Sequence, residues 1–343
     1  MEHTRRSKWL LSLFTTIVCV GGLELYCRCF PSWQDAFVVD VEFNQLPADI
    51  YQAQELPPGV APSKMRFRHR PNSRGVFVGA EYNTLVEINA LGMRGNMPTT
   101  NKELLLLGDS FVFAGQVDWQ ESVAGIVSRN EEWSVLNAGV DGYGTLDALA
   151  LYTSLRQQNK IHPKRLWLFF FWGNDISDNY ASSAEDTMVT MATMEPVENA
   201  SRILPIAPTQ WSALYRRIYG SMAARSDQRF VDKQREMDVL YHLQPDSVEL
   251  QPTKMAIQVL STHCQNIECT VIWVPPVEAM EDASLHATVV PILQKLVPEN
   301  MAQIDLYPIL QKQGGRSLYF QYDPHWNKEG NRVVGNYLES ILQ

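Results

Sequence analysis

From about residue 102 onward, apolar and polar positions fall into blocks of two kinds. Leu104 to Leu107 form an unbroken apolar run, and Arg165 to Trp172 (RLWLFFFW) form a second. Short apolar runs with no polar alternation read as strands buried on both faces, the habit of a parallel sheet. Trp133 to Asn137 and Cys269 to Val274 read as further strands, and Gln303 to Leu306 as a short fifth. Between and after them, Ser122 to Arg129, Leu146 to Gln158, Pro252 to Cys264, Ala283 to Leu296 and Lys328 to Leu342 read as helices. Strand and helix in turn, joined by short loops, predict an α/β domain with a parallel sheet covered by helices on both faces.

Two regions break this rhythm. Residues 31–63 carry prolines and acids with little periodicity and read as a stalk. Met65 to Gly95 contains extended pieces, Gly75 to Val78 and Thr84 to Ile88, bounded by the turn signals Pro71-Asn72 and Leu91-Gly92. Together, residues 31–100 are expected to form the stalk and a small extended preface to the main domain, 101–343. The second break, about 176–251, is too long for a plain connection and reads as a helical insertion. Trp211 to Leu243 has helical character and holds Arg216, Arg217, Arg225, Arg229, Lys233 and Arg235. Such a basic run is either a solvated helix face or a lid meeting an anionic polymer or a membrane surface.

The chain starts with a layout of another kind. Arg5, Arg6 and Lys8 precede an apolar stretch from Trp9 to Leu23, and no small-x-small cleavage site follows. The expectation is an uncleaved signal-anchor over residues 1–30, a single-pass helix in the inner membrane of a bacterial envelope, with a cleaved secretory signal as the alternative. The basic flank stays in the cytoplasm and the domain after Phe30 lies on the periplasmic or extracellular side. The formal charge of -9 argues against a nucleic-acid partner. Of five cysteines, Cys264 and Cys269 either pair in an oxidising compartment or stay as buried thiols. No cysteine and histidine spacing fits zinc, so neither metal nor other cofactor is expected.

The chemistry gathers in the loops that follow the strands. Ser110, in Gly108-Asp109-Ser110, sits where the first strand gives way to helix. Such a serine either caps the helix or is a nucleophile at the carboxyl edge of the sheet, where open α/β sheets bind ligands. Asn137-Ala138-Gly139 and a glycine-rich run to Gly144 follow the second strand, and Gly173-Asn174-Asp175 follows the third. Near the end comes Asp323-Pro324-His325-Trp326-Asn327. A serine hydroxyl needs a base, an ester carbonyl under attack needs hydrogen-bond donors, and histidine is the base suited to neutral pH. Ser110, His325 and Asp323 are therefore the candidate nucleophile, base and orienting acid. The Ser110 N–H, the Gly139 N–H and the Asn174 amide are the candidate oxyanion donors. Asp109 is expected to shape the turn and Asp175 to support the Asn174 loop, and Trp326 is either a packing wall or a sugar-stacking platform. His162, His242, His263 and His286 show no partner pattern.

The set GDS, the glycine of NAGVDGYG, GND and the terminal aspartate–histidine pair resembles the SGNH (GDSL-type) hydrolase family, in the family's order. The resemblance runs from about Glu103 to the C-terminus apart from the insertion. It implies a flavodoxin-like three-layer α/β/α sandwich with a five-stranded parallel sheet, a Ser-His-Asp triad and a three-donor oxyanion hole. The anchor and the preface ending in NALGMRG resemble envelope members of the family. The family usually places its aspartate three residues before the histidine, whereas Asp323 is two before His325, with Asp305 as reserve. The D-x-H-W form resembles SGNH proteins that O-acetylate exopolysaccharides. The implied function is a serine esterase acting on acyl esters, acetyl first among them, of an envelope carbohydrate or lipid. The alternatives are a polysaccharide O-acyltransferase with the same triad and a catalytically silent glycan-binding or assembly protein.

Overall fold

A computed structural model describes residues 2–30, 47–53, 67–183, 212–223 and 228–342. Contacts divide the chain into two units, Met1–Asn44 with Asn199–Gln234, and Gln45–Glu198 with Arg235–Gln343. In the first unit, α1 (Glu2–Cys29) contains one window, Ser12–Cys29, long and apolar enough to cross a membrane. A signal sequence meets the same criterion.

The second unit starts inside the stretch that composition assigns to a stalk. β1 (Tyr51–Ala53) pairs antiparallel with β2 (Phe67–His69), and β3 (Arg74–Val78) pairs with β4 (Asn83–Glu87). The Tyr51 ring is buried and its hydroxyl donates to Asp141 Oδ2 at 2.7 Å. The remaining stalk residues, 31–46 and 54–63, lie outside the described residues.

The sheet then follows. Its first strand is β5 (Glu103–Gly108), succeeded by the short helix α2 (Ser110–Phe113) and by α3 (Val123–Val127). β6 (Ser134–Gly139), α4 (Thr145–Gln157), β7 (Pro163–Phe171) and α5 (Asp175–Ser183) come next. After the insertion helices α6 (Ala213–Ala223) and α7 (Gln228–Tyr241) come α8 (Leu250–His263), β8 (Glu268–Val274), α9 (Val277–Glu281) and α10 (Ala283–Gln294). β9 (Ala302–Asp305), α11 (Tyr307–Gln313) and α12 (Lys328–Ile341) complete the chain. Within the expected insertion at about 176–251, residues 184–211 and 224–227 lie outside the described residues, Arg225 among them, as does the Arg229 side chain.

All neighbouring strands of the five-stranded sheet pair in parallel, in the order β6-β5-β7-β8-β9. The fold is thus an α/β sandwich with an all-parallel sheet. Helices α3 and α12 pack together, as do α4, α5 and α8. Leu104 to Leu107 are at most 1% exposed because β5 is flanked on both sides and both faces. Each such leucine contributes roughly 1.5–3 kcal/mol by burial. The chain leaves β5 toward one edge and returns across it to β7, so the switch point lies between β5 and β7. Ligands of open sheets bind at that point, beyond the carboxyl ends of the strands. Cys264 and Cys269 form a disulfide joining the end of α8 to β8.

His69 is an exception to the apolar packing. It is fully buried against the rings of Tyr51 and Phe113, at 5.2 and 4.4 Å, with neither ring nitrogen hydrogen-bonded. Burial, helped by the charge of Arg94, pushes its pKa from 6.5 down to about 3. The folded imidazole stays neutral where the unfolded one binds a proton. The stability this protects is present above pH 6.5 and is lost as pH falls toward 3. Between pH 7 and 5 the protein is expected to lose about 2 kcal/mol more than its His69→Phe variant. Urea titrations of the full-length protein in detergent check this, and equal losses would remove His69 from the acid response.

Candidate active site

The carboxyl end of β5 delivers Ser110. β5 ends at Gly108, in register with Gly139 of β6. Asp109 caps α2, its Oδ1 accepting the Phe111 N–H at 2.9 Å, so Ser110 opens the helix half-buried. His325 arrives from 215 residues away on the loop before α12. A bridge between Tyr319 and Trp326, and a Phe320 N–H to His325 carbonyl bond of 3.0 Å, hold that loop. Trp326 is 2% exposed and packs edge-on against Phe111 at 4.8 Å, so it is a packing wall. Phe111 also meets the His325 ring at 4.8 Å.

The three side chains form one hydrogen-bonded line. His325 Nε2 lies 2.6 Å from Ser110 Oγ, and Nδ1 lies 2.5 Å from Asp323 Oδ1. The same carboxylate oxygen accepts the backbone N–H of His325 at 2.8 Å. This is a local turn in which an aspartate bonds the backbone two residues on, and it swings the carboxylate to face the imidazole. The two-residue spacing is thereby compatible with a triad. Asp305 is committed elsewhere: its Oδ2 lies 2.7 Å from His286 Nε2, and His286 stacks on Tyr307 at 3.8 Å. His286 therefore does have a partner, one that its sequence context did not disclose.

Electrostatics separates Asp323 from the other buried acids. Burial pushes Asp323 up, but the charge of His325, its two hydrogen bonds and the Tyr82 hydroxyl bring the carboxyl below its usual range. Burial pushes Asp109 up to about 7, against the Phe111 N–H and the charge of His325. Asp141 is raised by burial as well, despite the Tyr51 hydroxyl. Asp175 is raised well above the carboxylate range by burial and by Asp109 and Asp178. Asp323 is thus the carboxyl held as an anion beside the histidine.

On the donor side, one glycine has a local partner for its N–H. Gly139 donates its N–H to Asn137 Oδ1 at 3.1 Å, so that proton is already engaged. Packing accounts for the glycine: a Cβ there would sit 2.4 Å from Phe113 N and 2.8 Å from the Asp109 carbonyl. Three residues on, Gly142 is exposed at φ +71°, in a turn closed by the Tyr143 N–H on the Val140 carbonyl (3.2 Å). That turn's own hydrogen bond uses the Tyr143 N–H and not the N–H of Gly142. Asn174 stands half-buried at the end of β7, with Oδ1 buried and unpartnered. Asp175 accepts from Thr145 Oγ1 at 3.4 Å and starts α5 directly after it. Further residues around the triad are Tyr82, on Asp323, and Gln116, whose Nε2 is 3.2 Å from His325 Nδ1. Neither sits in a motif. The other is Arg94, from the NALGMRG stretch, on the carbonyls of Phe113 and Val117 at 2.9 and 2.6 Å.

No protein-family model matches the chain, and no curated protein matches it significantly. Among solved structures, it is similar to a member of the lipolytic protein G-D-S-L family from Veillonella parvula. That likeness has 13% identity and a TM-score of 0.41, covering 70% of this chain and 98% of that one. A lipase/acylhydrolase from Enterococcus faecalis is similar at 16% identity and a TM-score of 0.38, covering 70% and 94%. A catalytic mutant of an acetylxylan esterase from Geobacillus stearothermophilus is similar at 14% and 0.40, covering 71% and 95%. The architecture itself stands on the sheet order and register described above.

Proposed function

We propose that this protein is a serine ester hydrolase of the SGNH type. The observation that carries the reading is the unbroken line from Ser110 Oγ through His325 to Asp323, with contacts of 2.6 and 2.5 Å. Ser110 Oγ attacks the ester carbonyl while His325 Nε2 takes its proton. The tetrahedral intermediate collapses as His325 returns that proton to the leaving alcohol. Water, deprotonated by the same nitrogen, then attacks the acyl-serine, releasing the acid and restoring Ser110. Asp323 holds Nδ1–H and stabilises the imidazolium. The Ser110 N–H, the Asn174 amide and the Gly142 N–H are the donors for the oxyanion. Gly142 replaces Gly139 because the latter's proton is engaged. Each donor typically contributes ~3 kcal/mol.

The substrate class follows from the sequence resemblance: acyl esters, with acetyl first, on a carbohydrate or lipid of a cell envelope. The anchor reading has support within the first unit. Glu24 of α1 accepts from Ser212 Oγ, Ala213 N–H and Leu214 N–H at 3.0, 3.0 and 2.9 Å. These donors open α6, whose first N–H groups have no partner within the helix. A helix built into a fold in this way suits a retained anchor better than a cleaved signal.

The test is a fluorophosphonate probe on the full-length protein, with the adduct located by peptide mapping. Labelling at Ser110 that disappears in His325→Ala is expected. A folded protein left unlabelled, or labelled equally in both forms, would overturn the assignment. Product analysis with an acceptor glycan present then separates hydrolysis from acyl transfer, the reading that the D-x-H-W block favours.

A further inference from the structure

The reaction just described leaves the hairpin β3–β4 without a role. Its tip, however, reaches the loop that carries Asp323, 241 residues further along the chain. Tyr82 donates its hydroxyl to Asp323 Oδ2 at 2.8 Å. The neighbouring Glu81 uses both carboxylate oxygens on the same loop, accepting the Gln321 N–H at 2.9 Å and the Tyr322 N–H at 2.7 Å. The Tyr82 ring also packs near Phe320, at 5.4 Å between centroids. One hairpin tip thus makes three hydrogen bonds to three consecutive residues that end at the triad acid.

The two oxygens of Asp323 divide the work. Oδ1 faces the ring and the backbone N–H of His325, and Oδ2 faces Tyr82. A carboxylate turns easily about its last bond, and at 4% exposure little water is at hand to hold it. The local turn fixes one oxygen, and the phenol fixes the other. We propose that Tyr82 is a positioning residue for the triad carboxylate and that Glu81 secures the backbone on which it rides. The hairpin is therefore a working part of the active site. This inference rests on the triad reading above and goes beyond it, since nothing in the motif blocks places the hairpin there.

The hydroxyl also has an electrostatic effect. Its donation to the Asp323 anion withdraws charge that would otherwise favour imidazolium on His325. Removing it makes His325 easier to protonate, so activity as pH falls is lost sooner.

The experiment follows p-nitrophenyl acetate hydrolysis from pH 5 to 9 by the full-length protein in detergent. Ser110→Ala serves as the blank, and urea midpoints are taken alongside. Tyr82→Phe is expected to keep the midpoint, to lose kcat roughly 10- to 100-fold with KM nearly unchanged, and to move the acid limb to higher pH. Glu81→Gln retains one acceptor and is expected to lose kcat by a smaller factor. Leu85→Thr, on an exposed position of β4, should leave rate and limb as they are. If wild type and Ser110→Ala are equally inactive, the triad reading fails and the inference falls with it. If wild type is active and Tyr82→Phe matches it in kcat and acid limb, the inference alone is overturned. A rate loss matched by a lower midpoint, with the limb unmoved, also overturns it, as a purely structural role. Should Tyr82→Phe not fold, the kcat of Glu81→Gln decides: a wild-type value overturns the inference.

Discussion

Asp323→Asn is expected to lower kcat for ester hydrolysis about 10⁴-fold with KM little changed. The argument runs through Nδ1 of His325, which lies 2.5 Å from Asp323 Oδ1. An asparagine either turns its amide N–H₂ toward that nitrogen and selects the wrong tautomer, or offers a neutral oxygen that stabilises the imidazolium poorly. Fold and substrate contacts are left in place, so the loss appears in kcat. The control is Asp305→Asn. Its carboxylate is paired with His286 at 2.7 Å, and the rate should stay close to wild type. A rate for Asp323→Asn within tenfold of wild type would put the orienting role elsewhere, and a large loss for Asp305→Asn would point to where.

The second large effect is on stability. Arg94→Met is expected to destabilise the protein by about 3–5 kcal/mol, read from the urea midpoint at unchanged m-value. The Arg94 side chain is 2% exposed and donates to the carbonyls of Phe113, Ala114 and Val117. These carbonyls lie at and beyond the end of α2, a helix too short to use them itself. Ala114 adds to the demand, because it sits at φ +53°, a left-handed conformation that a residue with a Cβ adopts only under constraint. The guanidinium also lies 5.7 Å from the Phe113 ring centre. Burial lowers the Arg94 pKa only to about 10, so the side chain is charged at neutral pH. Arg94→Lys should recover little, since one ammonium cannot span the same carbonyls as a planar fork. Both variants should also slow the enzyme, because Ser110 opens the helix that Arg94 closes. A loss below about 1 kcal/mol in Arg94→Met would show that water or backbone shifts satisfy the carbonyls.

The parts of the fold legible in advance are those whose signal is local. Leu104 to Leu107 and Arg165 to Trp172 lie within β5 and around β7, since a strand buried on both faces must be apolar throughout. Gln303 to Leu306 is one residue out of step with β9, Ala302–Asp305, because a four-residue edge strand carries little periodicity. β1 and β2, of three residues each, leave no such periodicity either, so composition alone groups Tyr51 with the stalk. Serine, histidine, aspartate and asparagine stand out as candidates because each follows a strand or ends a motif in which its chemistry is specific.

What the amino-acid order determined by itself was the class of fold and a set of candidate reacting groups, because burial periodicity and side-chain chemistry are properties of short segments. The use of each group was decided in three dimensions. Gly139 donates its N–H to Asn137, and Asp305 pairs with His286. Cys264 and Cys269 are paired. Asp323 accepts from Tyr82, and the residues just before it, Gln321 and Tyr322, donate to Glu81. A hydrogen bond depends on distance and direction to about half an ångström. Those are fixed only when the sheet and its loops bring together residues that no local pattern connects.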